Sequence, residues 1–354
     1  MTRTLLVNKV GQHKNQCKMN KLISFVALAT ILTFGCSKEN LDEQTNDEIK
    51  LITLIGSEKT AGEITLLEFS SAETYDATLI DLEAKLEAYD DEFLEKYGHL
   101  DEEALDDKED EIGYNDQVPL IEFEKQFRFQ NSMRQVFADA EEEWLNNEIL
   151  DPETDPSNIY IFDNAEMAML NENGEAKIGN SLLKLTNEGF VEFTDGDIDK
   201  LIRFNNGDMS VLDDPNVISS FDYQKVDGDC TWWKSKTVWD PYQTKRRVRK
   251  KVRFHAYPWK GTASSTITSF KRKRGRWKLK RVNLGVANQS FFRDNECTPT
   301  GGSYWSGWKN RWAKSISKRK SIWGAFPGIR AENGISIEGS YKYPSNINSL
   351  LLTW

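Results

Sequence analysis

Cysteine and histidine are scarce in this chain, which has four cysteines and three histidines among 354 residues. Cys17 and Cys36 flank an apolar run near the start, so only Cys230 and Cys297 remain beyond it. This scarcity excludes a disulfide-dense small domain and a four-cysteine zinc site from the rest of the chain. A catalytic triad that uses histidine, or a metal site with several histidines, is hard to assemble from so few.

Signatures of catalysis and of metal binding are also missing. The sequence contains no Gly-x-Ser-x-Gly, His-Glu-x-x-His, Gly-x-Gly-x-x-Gly or P-loop pattern. The alternating acids of 195–199 lack the glycine and glutamate of a calcium loop, so we interpret them as helix caps. Two carboxylates suffice for glycan hydrolysis, but any pair chosen among 56 acidic residues would be arbitrary. We therefore predict no catalytic residues, no cofactor and no metal site, with glycan hydrolysis as a remote alternative.

No apolar stretch is long enough to cross a membrane. The longest, Leu22–Gly35, has fourteen residues, whereas a spanning helix needs roughly 20. Its length and the preceding Lys21 are typical of a secretory signal peptide. Met19 opens a better-formed signal than Met1, which leaves the true start open between the two. We assign residues 1–35 to the signal peptide.

A cysteine follows this signal directly. The four residues before Cys36, Leu-Thr-Phe-Gly, resemble the lipobox at which bacterial lipoproteins are cut and lipidated. Phe34 is bulkier than the usual residue there, and looser boxes of this kind are similar to those of Bacteroidetes lipoproteins. The polar run 37–40, Ser-Lys-Glu-Asn, is similar to the export tags of their surface-exposed members.

The resemblance implies a protein lipidated at Cys36 and anchored in the bacterial outer membrane, on the cell surface, with residues 36–68 as tether. A plain secretory signal followed by a chance cysteine is the alternative. An envelope location also allows a disulfide between Cys230 and Cys297, which would close a loop of 68 residues. In the chain-entropy model such a loop contributes about 4 kcal/mol of stability.

Charge divides the chain into two parts of opposite sign. Residues 41–160 hold 35 acidic and 8 basic side chains, residues 161–220 hold 12 and 4, and residues 221–354 hold 8 and 28. Ten of the eleven tryptophans lie beyond residue 220. The joint change of charge and tryptophan content predicts a boundary within 206–225, where turn-forming residues cluster. The predicted segments are a helical acidic region, a small α+β connector and a basic, tryptophan-rich β domain, at 69–150, 151–215 and 216–354.

Apolar residues in the acidic region recur at helical spacing. Tyr75, Leu79, Leu82, Phe93 and others follow steps of 3 or 4, which predicts a helix of about 28 residues. We expect a capping box at its start, formed by a serine at position 70 and a glutamate three residues later. The acid-rich stretch 99–116 is predicted to be a solvated connection. A second helix is predicted to begin at a proline, position 119, which suits the first helical turn, and Asn131-Ser132 are expected to make its middle irregular.

From Ala176 the apolar period changes to that of short strands, which we predict at 176–179, 182–185 and 191–193. The preceding segment, Leu170-Asn-Glu-Asn-Gly-Glu, resembles one in uncharacterised Bacteroidetes lipoproteins. In those proteins an acidic helical region likewise precedes a strand-rich, tryptophan-bearing one. The resemblance therefore supports the order of the segments and implies no activity.

Alternation with a period of two marks the basic half as β structure. Val248, Val252 and Phe254 share one side of an extended run, and cations together with His255 share the other. We expect His255 to be an exposed strand residue, and we expect Asn-Gly at 333–334 to form a hairpin turn. Many such strands favour an antiparallel sandwich or a small barrel. The predicted fold class is α+β, with an acidic helical N-terminal region followed by an antiparallel β-sandwich-like C-terminal domain.

The basic runs are interleaved with Trp259, Trp277, Trp312 and Trp323. Cations beside aromatic faces suit anionic polymers, because charge gives salt-sensitive affinity and rings give stacking. Docking onto the acidic half of the same chain, and solubility alone, are the competing interpretations. The leading prediction is binding of an anionic glycan or other envelope component, such as lipopolysaccharide, with Arg247, Arg249, Lys251, Arg253, Lys271, Arg272, Lys273 and Arg274 as contributors. The alternative is a structural or adhesive subunit that binds a protein partner; the export signal argues against nucleic acid.

Overall fold

The structure is a computed structural model that describes residues 48–147, 149–221, 230–243, 245–294, 299–305, 307–326, 330–341 and 348–352. The signal peptide, Cys36 and Cys297 lie outside these ranges, so the lipidation and disulfide predictions are not addressed by them. The described residues belong to one compact unit, Asn46–Trp354.

The first sheet has six strands in sequence order. Neighbouring strands are antiparallel except β2 and β3, which pair in parallel with Phe69 opposite Ile178. Leu66 and Leu67 are adjacent in sequence and both fully buried, because both faces of this sheet are covered. Residues 49–68, which we assigned to the tether, instead form the first hairpin of this sheet. The strands are β1 (Ile49–Ile55), β2 (Glu63–Phe69), β3 (Glu175–Ile178), β4 (Ser181–Leu185), β5 (Phe190–Phe193) and β6 (Val217–Ser219).

A helical layer connects β2 to β3, since a parallel pair requires a crossover. The α-helices are α1 (Ala72–Tyr97), α2 (Glu102–Ile112), α3 (Val118–Gln126), α4 (Met133–Asn146) and α5 (Asn164–Met167), with short 3₁₀ turns at Pro152–Thr154 and Pro156–Asn158. The predicted period is confirmed in α1, where Tyr75, Leu79, Leu82 and Phe93 are buried. Ser71, one residue beyond the predicted position, caps this helix by accepting a hydrogen bond from the Thr74 amide at 3.2 Å.

Two helix predictions were wrong. The stretch predicted as a solvated connection contains α2, which Asp101 caps by accepting from the amides of Glu103 and Ala104. The helix predicted from position 119 is two helices, α3 and α4, and the irregularity expected at 131–132 falls at the break between them, where Ser132 caps α4. Arg128 lies in the left-handed backbone region, with φ of 53°, and this conformation ends α3.

The three short strands predicted after Ala176 are confirmed as β3, β4 and β5. After β5 come α6 (Ile198–Asn205) and a 3₁₀ turn at Met209–Asp213. Asp197 caps α6 by accepting from the Asp199 amide at 2.9 Å, as the helix-cap interpretation predicts. None of the described helices combines the length and apolar character that crossing a membrane requires.

The basic half forms two antiparallel sheets packed face to face, which confirms the predicted α+β class. In the second sheet β8 pairs β9, β9 pairs β10, and the far edge of β10 pairs both β11 and β15. In the third sheet β12 and β16 are central. The second sheet comprises β8 (Trp233–Gln243), β9 (Arg246–Ala256), β10 (Lys260–Lys273), β11 (Arg276–Leu279) and β15 (Ser315–Trp323). The third comprises β7 (Cys230–Thr231), β12 (Val282–Arg293), β13 (Pro299–Trp305), β14 (Lys309–Ala313), β16 (Arg330–Tyr341) and β17 (Asn348–Leu352).

The hairpin turn expected at 333–334 was wrong, because these residues lie inside β16. The pairing of β16 with β12 shifts register there, from Ser336 opposite Gln289 to Glu332 opposite Phe291. The Asn-Gly pair therefore supplies an irregularity within a strand.

Strand β9 shows how the halves are layered. Val248, Val252 and Phe254 lie in the core between the second and third sheets, as their alternation predicts. The opposite face of β9 is covered by the acidic helical layer. His255 was expected to be exposed, but it is buried on that face and stacks on Trp233 at 4.0 Å between ring centroids.

Candidate ligand-binding groove

Three of the predicted binding cations are buried between the second sheet and the helical layer. Arg249 donates to the Asp155 carboxylate at 3.0 Å and to the Glu141 carboxylate at 2.7 Å. Burial opposes the charge of Arg249, but the two carboxylates outweigh it and raise the pKa of the guanidinium.

Arg253 is the second of these buried cations. Its guanidinium donates to the Ile161 carbonyl at 2.7 Å, to the Ser264 hydroxyl and to the Asp163 carboxylate. Lys251, between the two arginines, donates to the Tyr160 carbonyl at 3.1 Å. These side chains join the strand to the segments between α4 and α5.

The remaining predicted cations lie nearer the surface. Arg247 donates to the Leu150 carbonyl at 2.9 Å and lies over the Trp277 ring. Lys273 contacts Asp106 at 3.3 Å and Asp107 at 3.2 Å. Lys271 is 3.9 Å from the Glu102 carboxylate. Arg272 is half-buried and Arg274 is exposed, both at the tip of the β10–β11 hairpin.

Other cations at this interface were not singled out from the sequence. Arg281 contacts Asp90 and Glu109, at 2.6 and 2.8 Å, and Lys314 contacts Glu109 at 3.0 Å. In the sequence these cations stand out only as members of short basic runs at strand ends. Such runs do not indicate which carboxylates the cations contact. The cations that pair with carboxylates of the helical layer are Arg246, Arg249, Arg253, Lys260, Lys271, Lys273, Lys278, Lys280, Arg281, Lys309, Arg311, Lys314 and Arg319. Much of the positive charge is thus engaged within the chain.

A groove of about 1000 Å³ runs between α1 and β15. Two tryptophans line it with large exposed fractions, 38% for Trp308 and 51% for Trp323, and Ile80 of α1 is 61% exposed. Of the four tryptophans that interleave the basic runs, Trp323 is the exposed one. Exposed aromatic side chains in a concave surface are typical of binding sites.

The charges of this groove are balanced. Its lining contains four acidic and four basic side chains, and three pairs form between them. Arg319 donates to Glu83 at 2.7 Å and Lys309 to Glu87 at 2.9 Å. The third pair joins Lys260, which is buried, to Asp76. The paired charges offer donors and acceptors without a strong field of either sign.

A second cavity, the inner cleft, lies beside the groove between the helical layer and the second sheet. Its volume is about 440 Å³, and the residues that also line the groove are Glu83, Glu87, Lys309, Ser317 and Arg319. One wall carries paired hydroxyls, with Thr266 2.8 Å from Ser317 and Thr268 2.9 Å from Ser315. Both cavities have the size of small-ligand sites, roughly 300–1,000 Å³.

Glu83 lies where the two cavities meet. Burial raises the pKa of its carboxyl to about 7; Asp163 and Glu166 act in the same direction, and Arg319 opposes them. A carboxyl group that titrates near neutral pH is often found at functional sites.

Stability should depend on pH through Glu83. Its folded-state pKa lies above the unfolded value of about 4.3, so between these values the folded state binds more protons and is stabilised as the pH falls. Because part of the side chain remains exposed, we expect a gain of only about 1 kcal/mol from pH 8 to pH 5. Urea unfolding across this range would measure it, with Glu83→Gln as the control that should reduce the slope. An unchanged slope in Glu83→Gln would contradict the assignment.

Neither a protein-family model nor a curated protein sequence matches this chain. Among solved structures it is similar to a DUF4848 family protein from Bacteroides thetaiotaomicron, with 13% identity and a TM-score of 0.19. The match covers 81% of this chain and 97% of the other. A likeness with so low a TM-score carries no argument about fold or function.

Proposed function

We propose that this protein is a lipid-anchored protein of the bacterial cell envelope, exposed on the cell surface, that binds a glycan in the groove between α1 and β15. The observation that carries the proposal is the pair of exposed indoles, Trp308 and Trp323, on one groove. A sugar ring presents a face of C–H bonds that packs on an indole, and its hydroxyls need donors and acceptors at the rim. The paired charges of the groove provide both.

The charge balance favours a neutral glycan over an anionic one. An anionic polymer would gain affinity from unpaired cations, yet Arg249 and Arg253 of the predicted binding set are engaged with carboxylates of the same chain. In the groove itself, Lys309 and Arg319 are paired as well. Binding should therefore depend on stacking and hydrogen bonds and should be nearly independent of salt.

The lipid anchor of this proposal rests on the sequence. Cys36 directly follows a signal-like run, and residues 37–47 separate it from the first described residue, Glu48. A lipid on Cys36 would hold the groove at the outer membrane, where glycans are the abundant polymers. The location and the ligand class are thus proposed together.

The test is binding of the purified protein to a panel of neutral and anionic polysaccharides at about 50 and about 200 mM salt. Replacing both Trp308 and Trp323 by alanine should weaken binding to the neutral members at least about thirtyfold, because the loss of even one aromatic anchor at a hot spot costs about 2 kcal/mol or more. Ile159→Ala, at an exposed apolar residue that does not line the groove, serves as the control and should bind normally.

Three outcomes would contradict the proposal in different ways. Full binding by the double tryptophan variant would exclude the groove. Binding restricted to anionic members and lost at higher salt would favour the cation-based prediction instead. Absence of binding to every polysaccharide would favour the structural or adhesive alternative, in which the ligand is a protein.

A further inference from the structure

Lys251 occupies an unusual position in the inner cleft. It extends from β9, directly opposite Thr266 of β10, and is buried where it lines the cavity. Its amine donates to the Tyr160 carbonyl at 3.1 Å. Among the residues that the structure describes, no carboxylate forms an ion pair with it. A buried lysine without a counterion is costly to keep charged.

The groups around Lys251 explain why it is left without a carboxylate. Arg249 forms ion pairs with Glu141 of α4 and with Asp155, and Arg253 forms one with Asp163. The two arginines therefore already pair with the nearby carboxylates. Burial lowers the pKa of Lys251 well below its ordinary value, and the flanking guanidinium groups lower it further, although Asp163 and Asp155 oppose this. An uncharged lysine amine in a cavity is a nucleophile.

We propose that the inner cleft binds a small hydroxylated aldehyde or ketone and that the amine of Lys251 forms an imine with its carbonyl carbon. The hydroxyls of Thr266, Thr268 and Ser317 on the same wall match the hydroxyls of such a compound. This site is separate from the glycan groove, although the two cavities share Glu83 and other residues.

The chemistry balances without any further reactant. The amine nitrogen attacks the carbonyl carbon, so a C–N bond forms as the C=O π bond breaks. The oxygen takes up the first amine proton to give a carbinolamine. Loss of that oxygen as water, together with the second amine proton, leaves the C=N bond. Glu83 and Arg319, which also line the cleft, form a pair with each other.

The test is labelling of the unmodified full chain with glyceraldehyde and cyanoborohydride at pH 7, followed by peptide mass mapping. The reductant converts any imine to a stable secondary amine. An ordinary lysine, with a pKa of about 10.4, is uncharged in only about one molecule in 2,500 at pH 7. We therefore expect Lys251 to be labelled at least about tenfold faster than the exposed Lys278, and the rate to saturate with glyceraldehyde concentration.

Two internal controls make the result decisive. Lys250 is also buried but faces the other side of β9, and should stay unlabelled. The variant with Trp308 and Trp323 replaced should label normally at Lys251, so a failure of the glycan proposal would leave this one standing. Labelling of Lys251 no faster than Lys278, or a rate that rises linearly at all concentrations, would overturn the proposal.

Discussion

Replacing Arg281 by methionine should lower the free energy of unfolding by about 3–5 kcal/mol. The guanidinium is 3% exposed and contacts Asp90 through two nitrogens and Glu109 through a third. Its removal leaves Asp90 paired with Arg311 and Glu109 paired with Lys314, each with less positive charge around it than before. The loss of one member of a buried ion network typically costs this much. Burial opposes the ionisation of Asp90, but Arg281 and the Tyr114 hydroxyl hold the pKa of Asp90 below its ordinary value.

Urea unfolding at pH 7 would measure the effect of Arg281→Met. The control is Arg276→Met, at an exposed residue of the β10–β11 hairpin, which should change stability by less than about 0.5 kcal/mol. Combining Arg281→Met with Asp90→Asn should cost less than the sum of the single changes, because the second removes a carboxylate whose compensation the first has already reduced. A loss below about 1 kcal/mol for Arg281→Met would show that the network is not buried as described.

Reversal of charge at Arg253 should prevent folding, whereas the same change at Arg274 should be tolerated. Both residues belong to the set predicted to bind an anionic ligand. Arg253 is 2% exposed and its guanidinium contacts Asp163, so glutamate there would bury two carboxylates side by side. Arg274 is exposed at the hairpin tip, where a charge remains hydrated.

The comparison needs only circular dichroism and thermal unfolding of Arg253→Glu and Arg274→Glu. We expect no cooperative transition for the first variant and a transition within a few degrees of the unchanged protein for the second. If Arg253→Glu folds with unchanged stability, the cation is not part of the interior. If Arg274→Glu also fails to fold, the hairpin contributes more to the fold than its exposure indicates.

The sequence predicted the layers well because their periods are local. The spacing of three and four in α1, and of two in β9, depends on neighbours along the chain. The contacts that could not be predicted are those between residues distant in sequence. Alternation assigns Arg249 and Arg253 to the polar side of a strand. It does not indicate whether water or another layer of the protein covers that side. The carboxylates that cover that side are separated from these arginines by about 90 residues or more along the chain.

The groove shows the same limit. Tryptophan content is readable from the sequence, but exposure is a property of the assembled layers. Trp277 and Trp323 occur in similar basic surroundings along the chain, and yet the first is buried against Phe270 and Trp144 while the second lines the groove. α2 was missed for a different reason, since its eleven residues include eight charged ones and bury only Leu105 and Glu109.

The order of synthesis gives the ion-paired interface a further consequence. The acidic half leaves the ribosome first, with 35 carboxylates and only 8 cations in residues 41–160. Glu83 can pair with Arg319 only after another 236 residues have been synthesised, and Asp163 can pair with Arg253 only after another 90. Until then the carboxylates repel one another and the helical layer lacks the second sheet as a partner. Contacts so distant in sequence slow folding, so the two halves should become ordered together, after most of the chain has been made.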